Sequence, residues 1–131
     1  MSEENVEAVR VMWDAFLRGD AERTLAAFHP DVVWDGRNLP DGRVARGIGE
    51  VIDHVSRWAA MWEDWTVDVE RVVDAGGDQV LLIMRERGRG RSGMAMDEHH
   101  AEIYTVRDGK IVGRIGYSDT AEALEVVGLA E

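Results

Sequence analysis

Asp108 and Gly109 lie between two runs of β-branched, aromatic and polar residues, MDEHHAEIYTVR and KIVGRIGYSD, and this arrangement constrains the fold more than any other feature of the chain. A two-residue type I′ turn needs positive φ at both central positions, which Asp-Gly tolerates. Counting outward from such a turn, Arg107 faces Lys110 and Val106 faces Ile111. Tyr104 then opposes Gly113, Glu102 opposes Ile115, His100 opposes Tyr117 and Glu98 opposes Asp119, and the pairs from Val106 outward share one face. That face is apolar near the turn (Val106, Ile111, Tyr104, Ile115) and titratable at its far end (Glu102, His100, Tyr117, Asp119). Such a gradient suits a pocket closed at the bottom and polar at the mouth.

Upstream, apolar residues recur first at helical and then at strand spacing. Val6, Val9, Trp13, Phe16 and Leu17 mark a first helix with Ser2 as N-cap and Gly19 as its stop. Asp20 caps a second helix through Leu25 and Phe28, ended at Pro30. A short strand follows at Val32 to Trp34, then a loop from Asp35 to Gly47, rich in Gly, Asp and Arg. Val51, Ile52, Val55, Trp58 and Trp62 form the stripe of a third helix. Beyond Trp65 the period becomes two. Strands at Thr66–Asp74 and Gln79–Arg87 flank Gly76-Gly77, and a tight turn there sets Asp68 against Arg85 and Val69 against Met84. RGRGRSG, from Arg87 to Gly93, connects to the long hairpin. It is short, lacks interleaved aromatics and sits in an acidic chain, so it does not read as a single-strand nucleic-acid segment. Asp119 and Glu122 have capping-box spacing ahead of a last helix that Gly128 ends. The order predicts one α+β domain over residues 1–131, with helices on one face of a curved antiparallel sheet.

With 131 residues, the chain is long enough for one hydrophobic core and short for two. A net charge of −11 disfavours nucleic acid and anionic membrane surfaces as partners. There is no cysteine, which removes disulfides, thiolate catalysis and Cys-based zinc sites. The acidic N-terminus does not resemble a secretion signal, and no apolar run reaches the ~20 residues of a membrane span, so a cytoplasmic location is expected.

Three pieces of the chain, VRVMWDAFLRGDAERTLAAFHPDVVW, ARGIGEVIDHV and IYTVRDGKIVGRIGYSD followed by LEVVGL, resemble in order and spacing the SnoaL-like polyketide cyclases of the nuclear transport factor 2-like superfamily. The resemblance implies a cone-shaped cavity between a concave sheet and the three N-terminal helices, usually in a homodimer. The superfamily includes cyclases, isomerases, epoxide hydrolases, dehydratases and domains without catalysis, so the reaction is left open. Asp119 matches the aspartate that serves such cyclases as general acid/base, but a role as helix cap accounts for it without any substrate.

His100, Tyr117 and Glu102 together read either as a proton shuttle near neutral pH or as a structural polar cluster. His99 points to the opposite face, and His100 with Glu102 supplies only two ligands, so no metal site and no cofactor are expected. Trp34, Trp13, Trp58, Trp62, Tyr104 and Ile115 are the expected ligand-contacting residues. Asp35 is placed at a loop rim, His29 at an element boundary and His54 on the surface. The function expected is binding of a small hydrophobic organic molecule, with acid/base cyclase or isomerase chemistry if the domain is catalytic. The alternative is a non-catalytic ligand-binding or dimerisation domain. A homodimer is expected through the outer sheet face, read as His99, Ala101, Ile103, Thr105, Val112 and Arg114.

Overall fold

The structure, a computed structural model, describes residues 2–40 and 42–129. Helix α1 (Ser2–Leu17) turns Val9, Met12 and Trp13 into the core, and Gly19 at φ 76° follows its end. The side chain of Ser2, expected as its N-cap, lies outside the described residues. Helix α2 (Ala21–Ala26) starts where Asp20 accepts the Arg23 backbone N–H. It stops short of Phe28, because the chain there enters strand β1 (Phe28–Asn38). The one lysine, Lys110, donates to the Ala26 carbonyl at the end of α2, where a cation complements the helix dipole.

Strand β1 is longer than the Val32–Trp34 segment expected. It pairs with β2 (Val44–Arg46) inside the stretch read as a loop. Asp35 is accordingly a buried strand residue, paired with Arg37, and not part of a loop rim. Helix α3 (Gly47–Ala60) is followed directly by β3 (Trp62–Asp74), β4 (Gln79–Gly90), β5 (Ala95–Arg107), β6 (Lys110–Tyr117) and helix α4 (Thr120–Val126). Arg91, in the short β4–β5 connection, donates to the Ala60 carbonyl at the end of α3.

The six strands run in the order β2-β1-β6-β5-β4-β3. All neighbours are antiparallel except β1 and β6, which are parallel, so the sheet is mostly antiparallel, as expected, with one parallel pair. Asp68 does oppose Arg85, and Val69 does oppose Met84. The turn is one residue longer than the sequence implied, pairing Asp74 with Val80, and a bulge at Glu70 restores the register beyond it.

The last hairpin departs from its expected register in a way that matters for the site. Its turn is the expected one, with Asp108 at φ 50° and Gly109 at φ 75°, and Arg107 faces Lys110 while Val106 faces Ile111. The next pair is Thr105 with Gly113, so Val112 is the extra residue of a β-bulge. A bulge sets two residues against one and reverses the facing of everything beyond it. Arg114 therefore opposes Tyr104, Gly116 opposes Glu102 and Tyr117 opposes Ala101.

The sheet separates two cores. On the concave side Val80, Leu82, Met84, Val106, Ile111 and Tyr104 pack against Val9, Met12 and Trp13 of α1 and Val51 of α3. On the convex side Leu81, Ile83, Ala101, Ile103 and Tyr117 pack under Ala123 of α4, with Ile115, Leu124 and Val127 around them. Ile115 and Tyr117, expected in the pocket, thus lie on the far side of the sheet, and Arg114, expected outside, lies within. No helix among the described residues is long and apolar enough to cross a membrane.

Candidate functional site

The concave face and helices α1 to α3 enclose a cavity of about 880 Å³. All five tryptophans contribute to its wall: Trp13 from α1, Trp34 from β1, Trp58 from α3, and Trp62 and Trp65 from β3. Their placement follows from period. Trp13 and Trp58 lie on the inward stripes of their helices, and Trp34 lies on an inward strand position packed edge-on to Phe28 and Tyr104. Met12, Met61, Met84, Met94 and Met96 supply further surface, polarisable and adaptable in shape. His54, expected on the surface, is half-buried and lines the cavity from α3.

One wall of this apolar space is ionisable. Inward positions of β4 and β5 bring together Glu86, His100 and Glu102, all buried. His100 Nδ1 lies 3.5 Å from Glu86 Oε1, and His100 Nε2 lies 3.7 Å from Glu102 Oε2. Each ring nitrogen thus faces a carboxylate at a distance longer than a strong hydrogen bond. The Glu86 Oε2 atom accepts the indole N–H of both Trp58 and Trp65, each at 2.7 Å. Glu102 accepts the Tyr104 hydroxyl, which itself accepts the Trp13 indole N–H at 2.9 Å.

Arg114 completes the wall. Its Nε is 3.0 Å from Glu102 Oε2, a charge contact whose alignment falls short of a hydrogen bond. Its guanidinium lies 4.2 Å above the Trp34 ring, and Nη1 donates to the Asp35 carbonyl at 3.3 Å. Gly116 makes this position available. A Cβ there would lie 2.8 Å from Arg114 Nη1 and 2.5 Å from Leu39 Cδ1, so any larger residue would displace one of them.

These contacts set the protonation states. Burial alone would lower the affinity of His100 for its proton, but Glu102 and then Glu86 outweigh that and raise its pKa above 6.5. Burial would push the Glu102 carboxyl up, yet Arg114, His100 and the Tyr104 hydroxyl together hold it at about 2. The Tyr104 hydroxyl is pushed well above its ordinary value by burial and by the Glu102 charge, so it stays a donor. These contacts favour the imidazolium form of His100 beside the Arg114 guanidinium and the ionised Glu102. An imidazolium with a carboxylate at each nitrogen is a proton donor first and becomes a base only after giving its proton up.

Of the residues expected at the site, His100, Glu102, Trp13, Trp34, Trp58 and Trp62 line the cavity. Tyr104 is fully buried behind the lining and reaches it through its hydrogen bonds with Glu102 and Trp13 and its ring contact with Trp34. Tyr117 and Ile115 are absent from it because of the bulge. Asp119 is exposed outside the lining and caps α4, accepting the backbone N–H of Ala121 at 2.9 Å and of Glu122 at 3.4 Å. Glu86, Arg114 and Trp65 went unrecognised in the sequence. The signal for Glu86 was a charged residue continuing the inward series Leu82, Met84, where an apolar side chain would be expected. No group of three or more His, Asp or Glu among the described residues is arranged to hold a metal ion.

The fold and the cavity define a cone-shaped domain of the nuclear transport factor 2-like class. The chain belongs to the SnoaL-like domain family, which it matches over residues 9–114. Over 110 residues it is 32% identical to the uncharacterized protein Rv0034 of Mycobacterium tuberculosis, covering 82% of each chain. An NTF2-like protein from Burkholderia thailandensis superposes with a TM-score of 0.79 at 25% identity, covering 95% of each chain. Rv0760c from Mycobacterium tuberculosis, solved in complex with estradiol-17β-hemisuccinate, superposes with a TM-score of 0.72 at 23% identity, covering 88% of this chain and 94% of that one.

Proposed function

We propose that the protein binds a small hydrophobic organic molecule in the concave cavity and performs proton transfer on it through His100. The observation that carries this reading is the carboxylate-flanked imidazole on the wall of an otherwise aromatic and apolar cavity. His100 gives its proton to a carbonyl oxygen of the ligand while solvent water takes one from the adjacent carbon, and the ring recovers its proton from the enol hydroxyl as solvent returns a proton to carbon. Glu102 and Glu86 orient the ring and balance its charge, and Arg114 keeps Glu102 ionised. Such enolisation is the common step of cyclase and isomerase chemistry and needs no cofactor. Rv0760c, which shares the fold, was solved in complex with estradiol-17β-hemisuccinate, and this supports a small organic molecule as the kind of ligand. Tyr117 and Asp119, expected at the site from the sequence, have no part in this scheme.

A probe ketone with exchangeable α-protons, 2-tetralone in deuterated buffer, tests the proposal. Proton NMR should show α-exchange accelerated by the protein and returned to the buffer rate by His100→Ala. Binding of the ketone without accelerated exchange would leave the non-catalytic alternative in its place.

The homodimer belongs to the proposal on altered grounds. The apolar part of the convex face is already covered by α4, and its exposed part carries Arg85 with Asp97, Arg87 with Asp68 and His99 with Glu70. A surface of interleaved signs is suited to self-pairing about a two-fold axis. Sedimentation equilibrium should therefore give a dimer at low salt that loosens at roughly 1 M salt, where the screening length is short. A monomer at low salt would remove it.

A further inference from the structure

The charges around the cavity are unequally matched. Glu86 on β4 stands directly opposite Glu98 on β5, and both belong to the inward set that lines the cavity. Like charges at opposed strand positions repel. Glu86 is relieved by two neutral indole donors and by His100, whereas Glu98, at the exposed rim, has no ion pair among the described residues.

The cations of the same wall are already engaged, Arg114 by Glu102 and the Asp35 carbonyl, His100 by Glu86 and Glu102. His54, with contacts of its own, is the other histidine of the lining. Asp97 at the rim is neutralised by Arg85. Three inward carboxylates, Glu86, Glu98 and Glu102, thus face one guanidinium, and the histidines close the difference only when protonated.

The rings beside Glu86 are of the kind that favours positive charge. Trp58 and Trp65 bond to its carboxylate, and Trp62 packs on Trp58 with ring centroids 5.5 Å apart at 64°. Indole faces attract cations more strongly than any other aromatic side chain. An anionic ligand would have to displace Glu102 from Arg114 or settle beside Glu86, and would approach a chain of net charge −11.

We propose that the ligand is a lipophilic organic cation, an amine or quaternary ammonium compound, whose head lies by Glu86 and Glu98 among Trp58, Trp62 and Trp65 and whose apolar body fills the rest of the cavity. This inference rests on the reading of the same cavity as a hydrophobic binding site and adds the sign of the ligand's charge.

Isothermal titration calorimetry on the full chain with three probes of one ring system tests it: (2-naphthylmethyl)trimethylammonium, 2-naphthalenemethanol and 2-naphthoate. The cation should bind roughly tenfold more tightly than the alcohol, and the carboxylate most weakly. Glu86→Gln should cut the cation's advantage severalfold. Glu98→Gln, at an exposed position, should reduce that advantage as well. If the carboxylate bound as tightly as the cation, or if both variants kept the full preference, the charge assignment would be overturned while the hydrophobic cavity stood. Failure of all three probes to bind would overturn both.

Discussion

His100 gathers the chemistry of the molecule because its two ring nitrogens meet two different carboxylates. Its raised pKa has a defined consequence for stability. A group that binds its proton more tightly when folded stabilises the fold fully below its unfolded value, here 6.5, and ceases to do so as pH rises through the folded value. Thermal unfolding should therefore show wild-type stability declining as pH climbs from 6.5 through the raised pKa, and His100→Gln should flatten that decline. Glu102 works in the opposite sense. Its contribution is present above 4.5 and is lost as pH falls toward about 2. Glu102→Gln would leave Arg114 buried without its counter-charge and should cost about 3 kcal/mol or more, read from chemical denaturation. His100 and Glu102 were legible in the sequence because they alternate on one strand, at positions 100 and 102, and alternation needs no knowledge of the partner strand. Arg114 was not, because its facing depends on a register that one extra residue reverses.

At the scale of elements, the bulge at Val112 decides which side of the sheet each β6 residue serves. Without it Ile111 and Arg114 could not both face inward; with it, Tyr117 goes under α4. Tyr117→Phe should therefore leave affinity for any cavity ligand unchanged in calorimetry, and a loss of affinity would mean that its hydroxyl reaches the cavity after all. The Asp-Gly turn, the four long strands, helices α1 and α3 and the Asp119 cap follow from local chemistry, and the sequence shows them. The β1–β2 pairing and the parallel β1–β6 contact do not, since they join segments far apart in the chain or hide in a stretch rich in glycine. The role of Asp119 as a cap has its own test. Asp119→Asn should leave stability nearly unchanged, because asparagine caps as well, while Asp119→Ala should cost about 1 kcal/mol in denaturant unfolding. Equal losses in the two would indicate a charge-dependent role beyond capping.

Across the whole molecule, the buried polar network joins the layers. Trp13 of α1 reaches Tyr104, Trp58 of α3 reaches Glu86, Arg114 lies over Trp34 of β1, and all three lines end beside His100. The protonation state of this one ring therefore reports whether the helices, the sheet and the bulge are assembled as described. Four histidines make the measurement clean, with His29 exposed and bonded to the Asp31 backbone, His54 on α3 and His99 on the convex face. Titration of the imidazole signals by heteronuclear NMR, assigned through His100→Gln, should show His100 titrating above 6.5 and falling when either Glu86 or Glu102 is changed to glutamine. A His100 that titrates below 6.5, or that ignores both substitutions, would contradict the carboxylate-flanked imidazole on which the proposed chemistry depends.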